Sequence, residues 1–337
     1  MRVHNRPGMS VVIPTKNRPN VCRDTVTALC DQTLASSEYE IVVVDDGSNP
    51  PVRMSWPQDG PAVRVVRLDG RERSAARNVG AEAAAADLIL FLDDDISVGS
   101  GFLETHVRAH REWEGALIVG AVDLPPGILK RPFGRFRYGL ESQGTPRQRG
   151  ITHVKNFCTA GNMSIARRQF FRLGGFDEAL VSAEDQDLAL RHSEAGGAIV
   201  FLPEAAGIHR DTAMEVRSYC RRTEWGSEHL VAFCRKHPTW PDNMSREQVN
   251  GPIRWCHEPL GQSARKVAKK LAACPPALPV LFGMTAVIER VAPESRVLER
   301  LYRLLLGVHI YRGYRRGATR WTAGETPLNS AFSLKWR

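Results

Sequence analysis

The sequence predicts an α/β protein with a mostly parallel central sheet flanked by helices, followed by a helical C-terminal extension. Short apolar runs alternate with helical patterns from residue 10 to about residue 210, which is typical of βαβ units and a parallel sheet. Polar and acidic residues follow several of the apolar runs, as expected where ligands bind at the carboxyl ends of strands. Beyond Asp211, helical patterns dominate and arginine and tryptophan become frequent.

Each predicted strand is a short apolar run that ends at a polar or turn-forming residue. The predicted strands cover residues 10–14, 40–44, 62–68, 88–92, 117–122 and 199–202. Pro19 suits the first turn of a helix that runs to about Cys30, and Ser74 is a plausible N-cap for the alanine-rich segment 74–86. Two further helices are predicted at 169–175 and 185–194.

Residues 124–155 interrupt this alternation. They are rich in Gly, Pro and Arg and have no helical or strand period. We therefore expect a long irregular loop, of the kind that is usually functional or disordered.

The composition indicates a globular protein with an acidic partner. The chain of 337 residues is 42% hydrophobic and 25% charged, with a net charge of +9. That charge suits a phosphorylated substrate, an anionic membrane surface or nucleic acid, although no nucleic-acid-binding module is recognisable. The seven cysteines are scattered singly, which favours a reducing compartment, and the polar segment 1–9 predicts no signal peptide.

The strongest chemical signal is the apolar run 88–92, which leads directly into Asp93, Asp94 and Asp95. Three adjacent carboxylates repel one another and are costly to bury unpaired. A hard divalent cation with oxygen ligands fits such a group best. The alternative is a solvated acidic turn after a strand.

Seven segments in order, VVIPTKNRP, IVVVDDGS, SAARNVGAEA, LFLDDD, AGNMSIARRQFF, GGFDEAL and AEDQDLALRHSEAG, resemble family-two glycosyltransferases of the GT-A fold. The resemblance covers about residues 10–210. It implies a GT-A, Rossmann-like sheet and transfer of a sugar from a nucleotide-diphospho-sugar.

The resemblance also implies roles for individual residues. The residues expected to bind the nucleotide-sugar are Pro14, Thr15, Asn17, Asp45, Arg77, Asp93 and Asp94. Asp95 and His209 are expected to bind Mg²⁺ or Mn²⁺ together with diphosphate oxygens. Alternatives remain for three of these residues: Asp45 as a turn former, Arg77 as a solvated helix residue and His209 as a structural histidine.

Asp185 stands where the family keeps its general base, so the resemblance implies that it deprotonates the acceptor hydroxyl with inversion at the anomeric carbon. Asp185 or Glu184 also suits a simple helix N-cap. The alternatives for function are a retaining GT-A enzyme and, in another class, a non-catalytic basic protein that binds nucleic acid or membrane. The expected donor is a UDP-sugar, and the expected acceptor is a hydroxyl of a glycan, a lipid-linked molecule or a small molecule.

The predicted domains are a catalytic domain at residues 1–211 and a basic helical region at 212–337 for packing, homodimerisation or membrane contact. The uncharged run 271–288 predicts a buried helical hairpin or shallow membrane contact. Downstream leucines spaced by three and four residues, interleaved with arginines, suit either an anionic membrane surface or packing. The expected location is cytoplasmic, with peripheral contact at the inner face of the cell membrane.

Overall fold

The computed structural model describes residues 7–54, 59–142, 148–152, 158–210, 215–240 and 249–322. The chain forms two compact units. The first comprises Met1–Pro126, Glu141–Glu178 and Glu184–Thr212, and the second comprises Gly127–Leu140, Ala179–Ala183 and Ala213–Arg337. This division moves two short segments of the predicted first domain into the second unit, and the predicted boundary at 211/212 lies outside the described residues.

The first unit is built on one nine-stranded sheet in the order β3-β2-β1-β4-β8-β6-β9-β5, with β7 paired to β9. Strands β3, β2, β1 and β4 are mutually parallel, whereas β8 runs antiparallel to both β4 and β6. The strands are β1 Met9–Thr15, β2 Tyr39–Asp46, β3 Ala62–Leu68, β4 Leu88–Leu92, β5 Ile96–Val98, β6 Leu117–Asp123, β7 Gly150–Thr152, β8 Asn162–Ala166 and β9 Ile199–His209. The predicted α/β class is confirmed.

The described helices of the first unit flank this sheet. They are α1 Pro19–Cys30, α2 Glu72–Ala83, α3 Phe102–Glu112, α5 Arg167–Arg172 and α6 Glu184–Glu194. Alternate residues of β1 pack into different cores: Val11 and Ile13 lie in one apolar cluster and Val12 in the other. Because both faces of the central strands are covered, their sequences read as continuous apolar runs.

The parallel strands bring the predicted polar residues to one edge of the sheet. In the β1–β2 ladder Thr15 is paired with Asp45. Strand β4 lies on the other side of β1 in the same direction, so Asp93 follows its carboxyl end at that edge. Strand β5 pairs with β9 so that Ile96 faces His209, which brings the end of β9 to the acidic triplet.

The second unit is helical where it is described. A 3-10 turn at Pro126–Lys130 and helix α4 at Pro132–Glu141 are followed by α7 Val216–Lys236, α8 Leu260–Ala272, α9 Ala277–Val291 and α10 Arg296–Thr322. Helices α7 and α10 approach closely because Gly313 and Gly317 of α10 lie against the backbone of α7. Glu224 and Glu228 of α7 are paired with arginines of α10 at 312, 316 and 320.

The prediction of a continuous irregular loop at 124–155 is wrong for its described residues. Phe133 and Arg137 of α4 are buried, with Phe133 packed against Tyr219 and Tyr302 of the second unit. Arg137 lies over the Tyr219 ring at 5.3 Å. These tertiary contacts stabilise a helix that has Pro and Gly in its sequence and therefore gives no periodic signal.

Some apolar residues of the C-terminal region are buried, and others are exposed. The α10 leucines at 298, 301, 305 and 306 are buried in the second unit, so they form a packing face. Within the run 271–288, Leu278 and Thr285 are buried but Val280, Met284 and Val287 are exposed, so the hairpin is buried on one side.

A search of the described residues finds no individual helix with the length and apolarity to cross a membrane; helices α8 and α9, joined by a 91° bend, meet that test as a pair.

Candidate active site

The loop after β2 is organised by Asp45, which is almost fully buried. One carboxylate oxygen accepts hydrogen bonds from the backbone N–H of Ser48 at 2.9 Å, and the other accepts from Val52 at 3.0 Å and from the Arg67 guanidinium at 2.5 Å. Burial alone would raise the pKa of Asp45, but these hydrogen bonds and Arg67 outweigh it and lower the pKa. The lowered pKa favours the charged form of Asp45, whose carboxylate holds the backbone of this loop.

Asn17 joins the loop after β1 to the loop after β2. Its backbone N–H donates to Ser48 Oγ at 2.8 Å, and its side-chain oxygen accepts from the N–H of Asn49 at 2.8 Å. Asn17 has a positive φ of 57°, which Asn adopts more readily than most residues. Pro14 is half-buried at the end of β1 and Asn17 is exposed, so these two residues border one open edge.

The three carboxylates after β4 have separate partners. Asp93 receives the Arg77 guanidinium at 2.8 Å, and Asp94 accepts from Thr15 Oγ1 at 2.7 Å. Arg18 spans the other two acids, with one nitrogen 3.0 Å from Asp94 and another 2.8 Å from Asp95. Asp94 and Asp95 are thus buried with counter-charges and the partly exposed Asp93 is paired with Arg77, so the triplet is not a solvated turn.

The environments shift two of these groups in opposite directions. Burial raises the pKa of Asp94 to about 6, against the opposing effect of Arg18 and Thr15. Burial would also raise the pKa of Asp93, but Arg77 and Arg73 outweigh it and lower the pKa.

Asp95 and His209 lie together, as predicted for a metal-binding pair. His209 Nε2 is 3.6 Å from an Asp95 carboxylate oxygen, and the N–H of Arg210 donates to the Asp95 carbonyl at 2.9 Å. Among the described residues, no group of three or more His, Cys, Asp or Glu side chains is arranged to hold a metal. A carboxylate and an imidazole thus lie close together here, and their binding of a metal stays a prediction.

Arg77 is buried and does not lie on a solvated helix face. Its guanidinium bonds Asp93 at 2.8 Å and Glu184 at 2.7 Å, and it lies 5.6 Å from the centre of the Phe176 ring. In this structure Arg77 thus connects the end of β4 to the start of α6. Its predicted contact with the nucleotide stays a prediction.

Glu184 and Asp185 open helix α6 in different environments. Glu184 is buried and held by Arg77, whereas Asp185 is partly exposed. Asp185 accepts hydrogen bonds from the N–H of Gln186 at 2.8 Å and of Ala160 at 3.3 Å. Burial and the neighbouring Glu184 raise the pKa of Asp185 to about 7, although Arg77 opposes the shift. A carboxylate with that pKa suits proton transfer near neutral pH.

Two residues of this site were missed by sequence reasoning. Arg18, which bonds Asp94 and Asp95, lies between the predicted strand at 10–14 and Pro19 and was assigned no role from the sequence. Asn78 exchanges hydrogen bonds with the backbone N–H and carbonyl of Phe176, both at 2.9 Å, and so fixes the turn after Gly174 and Gly175. Arg18 and Asn78 directly follow Asn17 and Arg77 in the motifs, and this adjacency is the feature of the sequence that could have identified them.

Residues 10–174 match the family model described as glycosyl transferase family 2. The chain is 27% identical over 265 residues to validoxylamine A glucosyltransferase of Streptomyces hygroscopicus subsp. limoneus, covering 69% of this chain and 57% of the relative. It is 29% identical over 238 residues to pre-mycofactocin glycosyltransferase of Mycobacterium tuberculosis, covering 68% of this chain and 48% of the relative. The chain thus spans about half the length of these relatives.

The fold is also similar to that of a solved structure, a mannosyltransferase from Pyrobaculum calidifontis in complex with GDP-Man and Mn²⁺. The TM-score is 0.56 at 18% sequence identity, and the match covers 93% of this chain and 88% of the other. The predicted GT-A architecture is confirmed.

Proposed function

We propose that the chain transfers a sugar from a nucleotide-diphospho-sugar to an acceptor hydroxyl. The match of residues 10–174 to the family model described as glycosyl transferase family 2 supports this proposal. The observation that carries the proposal is the convergence of three groups at one edge of the sheet. These are the acidic triplet after β4, the Asp95–His209 pair and the Asp185 carboxylate linked to the triplet through Glu184 and Arg77.

The nucleotide is proposed to lie along the ends of β1 and β2. Pro14, Thr15 and Asn17 border that edge, and Asp45 orders the adjoining loop through its bonds to Ser48. UDP is the expected nucleotide. The archaeal neighbour was solved with GDP-Man, so a guanine donor is the first alternative to test.

The residues present fit Mg²⁺ or Mn²⁺ with donor oxygens completing the shell. Asp95 supplies oxygen and His209 supplies nitrogen, a mixed donor set that Mn²⁺ accepts. Such an ion, when bound, supplies Lewis-acid stabilisation for the leaving diphosphate. The Mn²⁺ bound by the archaeal neighbour supports this assignment. Arg18 bonds both Asp94 and Asp95 in this structure, so it neutralises the same carboxylates.

Asp185 is proposed as the general base. Its carboxylate takes the proton of the acceptor hydroxyl as the hydroxyl oxygen bonds the anomeric carbon. The bond from that carbon to the diphosphate oxygen breaks, and its electron pair leaves with the nucleoside diphosphate. A single in-line displacement of this kind inverts the anomeric centre.

A panel of UDP-, GDP- and dTDP-sugars, assayed for hydrolysis and transfer with and without Mn²⁺, tests the proposal. We expect one nucleotide class to be consumed in a Mn²⁺-dependent way and both Asp95→Asn and Asp185→Asn to lose activity. Asp87→Asn, an exposed acid at the opposite end of β4, is the matched control and should stay active. A product with retained anomeric configuration would contradict inversion, and no consumption of any donor would contradict the proposed activity.

A further inference from the structure

Exposed apolar side chains are concentrated in one stretch of the second unit. Of the fifteen large hydrophobic side chains that are exposed among the described residues, nine lie between Val249 and Val297. The most regular group is on helix α9, where Val280, Met284, Val287 and Val291 are 61%, 48%, 58% and 74% exposed. We call these four residues the α9 stripe.

The α9 stripe occupies one side of a helix that is anchored by its other side. Its spacings of four, three and four residues place the four side chains within an arc of roughly 60°. The opposite side carries Leu278 and Thr285, which are buried, and Leu278 packs in a cluster with Cys220 and Leu305. Helix α9 is therefore fixed in the unit while it presents an apolar surface outward.

Most exposed charges close to the stripe in sequence are basic. The sequence from Pro259 to Ile288 contains no Asp or Glu, Glu289 of α9 accepts a hydrogen bond from the Tyr302 hydroxyl, and Glu294 is exposed beyond the helix. Of the four cations between Pro259 and Ile288, Lys266 is buried beside Glu258 and Lys269 donates to the side chain of Asn250 at 3.0 Å. The other two, Arg265 and Lys270, are exposed on α8, and Arg290 is exposed at the end of α9.

The exposed apolar face and the basic charges close to it in sequence favour a lipid surface over a second copy of the chain as the binding partner. A two-fold interface through the α9 stripe would bring three exposed cations of each copy, at positions 265, 270 and 290, towards the other copy, with one exposed acid of each copy, Glu294, close in sequence to pair with them. An apolar helix face with a basic border instead complements acyl chains below anionic headgroups.

We infer that the α9 stripe inserts into the interface of an anionic lipid bilayer, with Arg265, Lys270 and Arg290 contacting headgroup phosphates. From the sequence, shallow membrane contact is one alternative for the uncharged run 271–288, and a membrane surface is one alternative for the leucines of α10. The structure buries those leucines and leaves the α9 stripe exposed, so the inference keeps the first alternative and not the second. The inference does not rest on the proposed sugar transfer.

Co-sedimentation of the full-length protein with vesicles tests the inference. With vesicles of phosphatidylcholine and phosphatidylglycerol at low salt we expect binding, and with phosphatidylcholine alone or at high salt we expect it to weaken. Met284→Asp combined with Val287→Asp should lower the partition coefficient by about tenfold or more, because two apolar anchors are lost. Arg265→Ser combined with Lys270→Ser should reduce both the binding and its salt dependence.

The matched control is Val65→Asp, the same chemical change at an exposed valine of β3 in the first unit. This variant should bind vesicles as the wild type does, and circular dichroism should show every variant folded. Two vesicle results would overturn the inference: wild-type protein that stays in the supernatant with anionic vesicles, or stripe variants that bind unchanged. A dimer in sedimentation velocity that Val287→Asp converts to monomer would identify the stripe as a subunit interface and would also overturn it.

Discussion

Glu184 and Asp185 are neighbours in sequence, yet the fold gives their carboxylates different partners. Glu184 faces the buried Arg77 guanidinium at 2.7 Å and is therefore committed to an ion pair. Asp185 accepts two backbone hydrogen bonds, is partly exposed and has a pKa raised to about 7. Asp185 therefore combines access with a pKa suited to proton transfer, whereas Glu184 is buried and ion-paired.

Asp185→Asn should bind donor normally but transfer sugar at least about 10²-fold more slowly, the usual contribution of a positioned base. The transfer rate of the wild type should fall as the pH drops below about 7, because Asp185 becomes protonated. Initial rates and donor affinity measured across pH check both points. Glu184→Gln provides the comparison: if that variant is inactive while Asp185→Asn stays within a few-fold of wild type, the base is Glu184.

Arg18 occupies the position of a counter-ion to two carboxylates that are expected to take part in metal and donor binding. Removing it by Arg18→Ala should leave Asp94 and Asp95 with less compensating charge. We therefore expect Mn²⁺ alone to bind about threefold tighter or more at pH 8, since a half-exposed ion pair contributes up to about 1 kcal/mol.

Calorimetric titration with Mn²⁺ in the absence of nucleotide measures the effect of Arg18→Ala. Arg23→Ala is the matched control, because Arg23 is an exposed arginine of α1 that bonds Asn20 at 3.1 Å. Equal or weaker Mn²⁺ affinity in Arg18→Ala would show that Arg18 does not compete with a cation at this edge.

At the scale of elements, continuous burial made one strand easy to predict. Strand β4 was predicted with the observed bounds, because a strand covered on both faces leaves an uninterrupted apolar run. Strand β3 was also predicted with the observed bounds, although it is largely exposed and carries Arg64 and Arg67. Helix α4 was missed because its stability depends on Phe133 packing against residues far along the chain, which no local pattern reveals. Strand β5 has three residues and was missed for the same reason, since it depends on pairing with β9.

The close contact of α7 and α10 depends on glycine at two positions of α10. A Cβ at Gly313 would lie 2.0 Å from the Glu224 carbonyl oxygen, and one at Gly317 would lie 2.2 Å from that of Glu228. Gly313→Ala should therefore push the helices apart and destabilise the protein by about 1–3 kcal/mol, the usual cost of overpacking.

Urea unfolding of Gly313→Ala measures this cost, and Gly226→Ala is its control. Gly226 lies within α7, and a Cβ added there meets no atom within 4 Å. Replacing it with Ala should stabilise the helix by about 0.5–1 kcal/mol, since Gly is a poorer helix former. Similar unfolding midpoints for the two variants would contradict the close-packing argument.

At the scale of the whole molecule, the sequence predicted where the site lies but not the ion pairs that connect its residues. The carboxyl-end rule brought Thr15, Asp45 and the acidic triplet to one edge, and the ladders show that edge. The ion pairs through Arg18 and Arg77 could not be foreseen, because they join residues 76 and 107 positions apart. The folded sheet and α6 bring the paired residues together.

Two sets of titrating groups make the stability of the protein depend on pH in opposite directions. His106 and His110 are bonded to Ser164 in the core, and burial lowers their pKa values to about 3 and about 4. Asp94 and Asp185 have pKa values raised to about 6 and about 7. The histidines add stability that is complete above their unfolded pKa near 6.5 and is lost as the pH falls towards 4 and 3. The raised carboxyls add stability at low pH that is lost as the pH rises through 6 to 7.

Because these two effects oppose each other, the unfolding free energy of the wild type should change little between about pH 5 and pH 7. Single variants should separate the two effects. His110→Gln keeps a side chain that can hydrogen-bond Ser164 but removes one titrating group, so its unfolding free energy should fall less than that of wild type on acidification from pH 6.5 to 5. The difference approaches about 1.4 kcal/mol per pH unit for one proton.

Asp185→Asn should shift the profile in the other direction, because it removes a group that favours folding at low pH. Urea unfolding at pH 8, 6.5 and 5 measures all three profiles, with His257→Gln as the exposed control. If His110→Gln and wild type keep parallel profiles over this range, His110 is not the buried neutral histidine that its contacts with the core indicate.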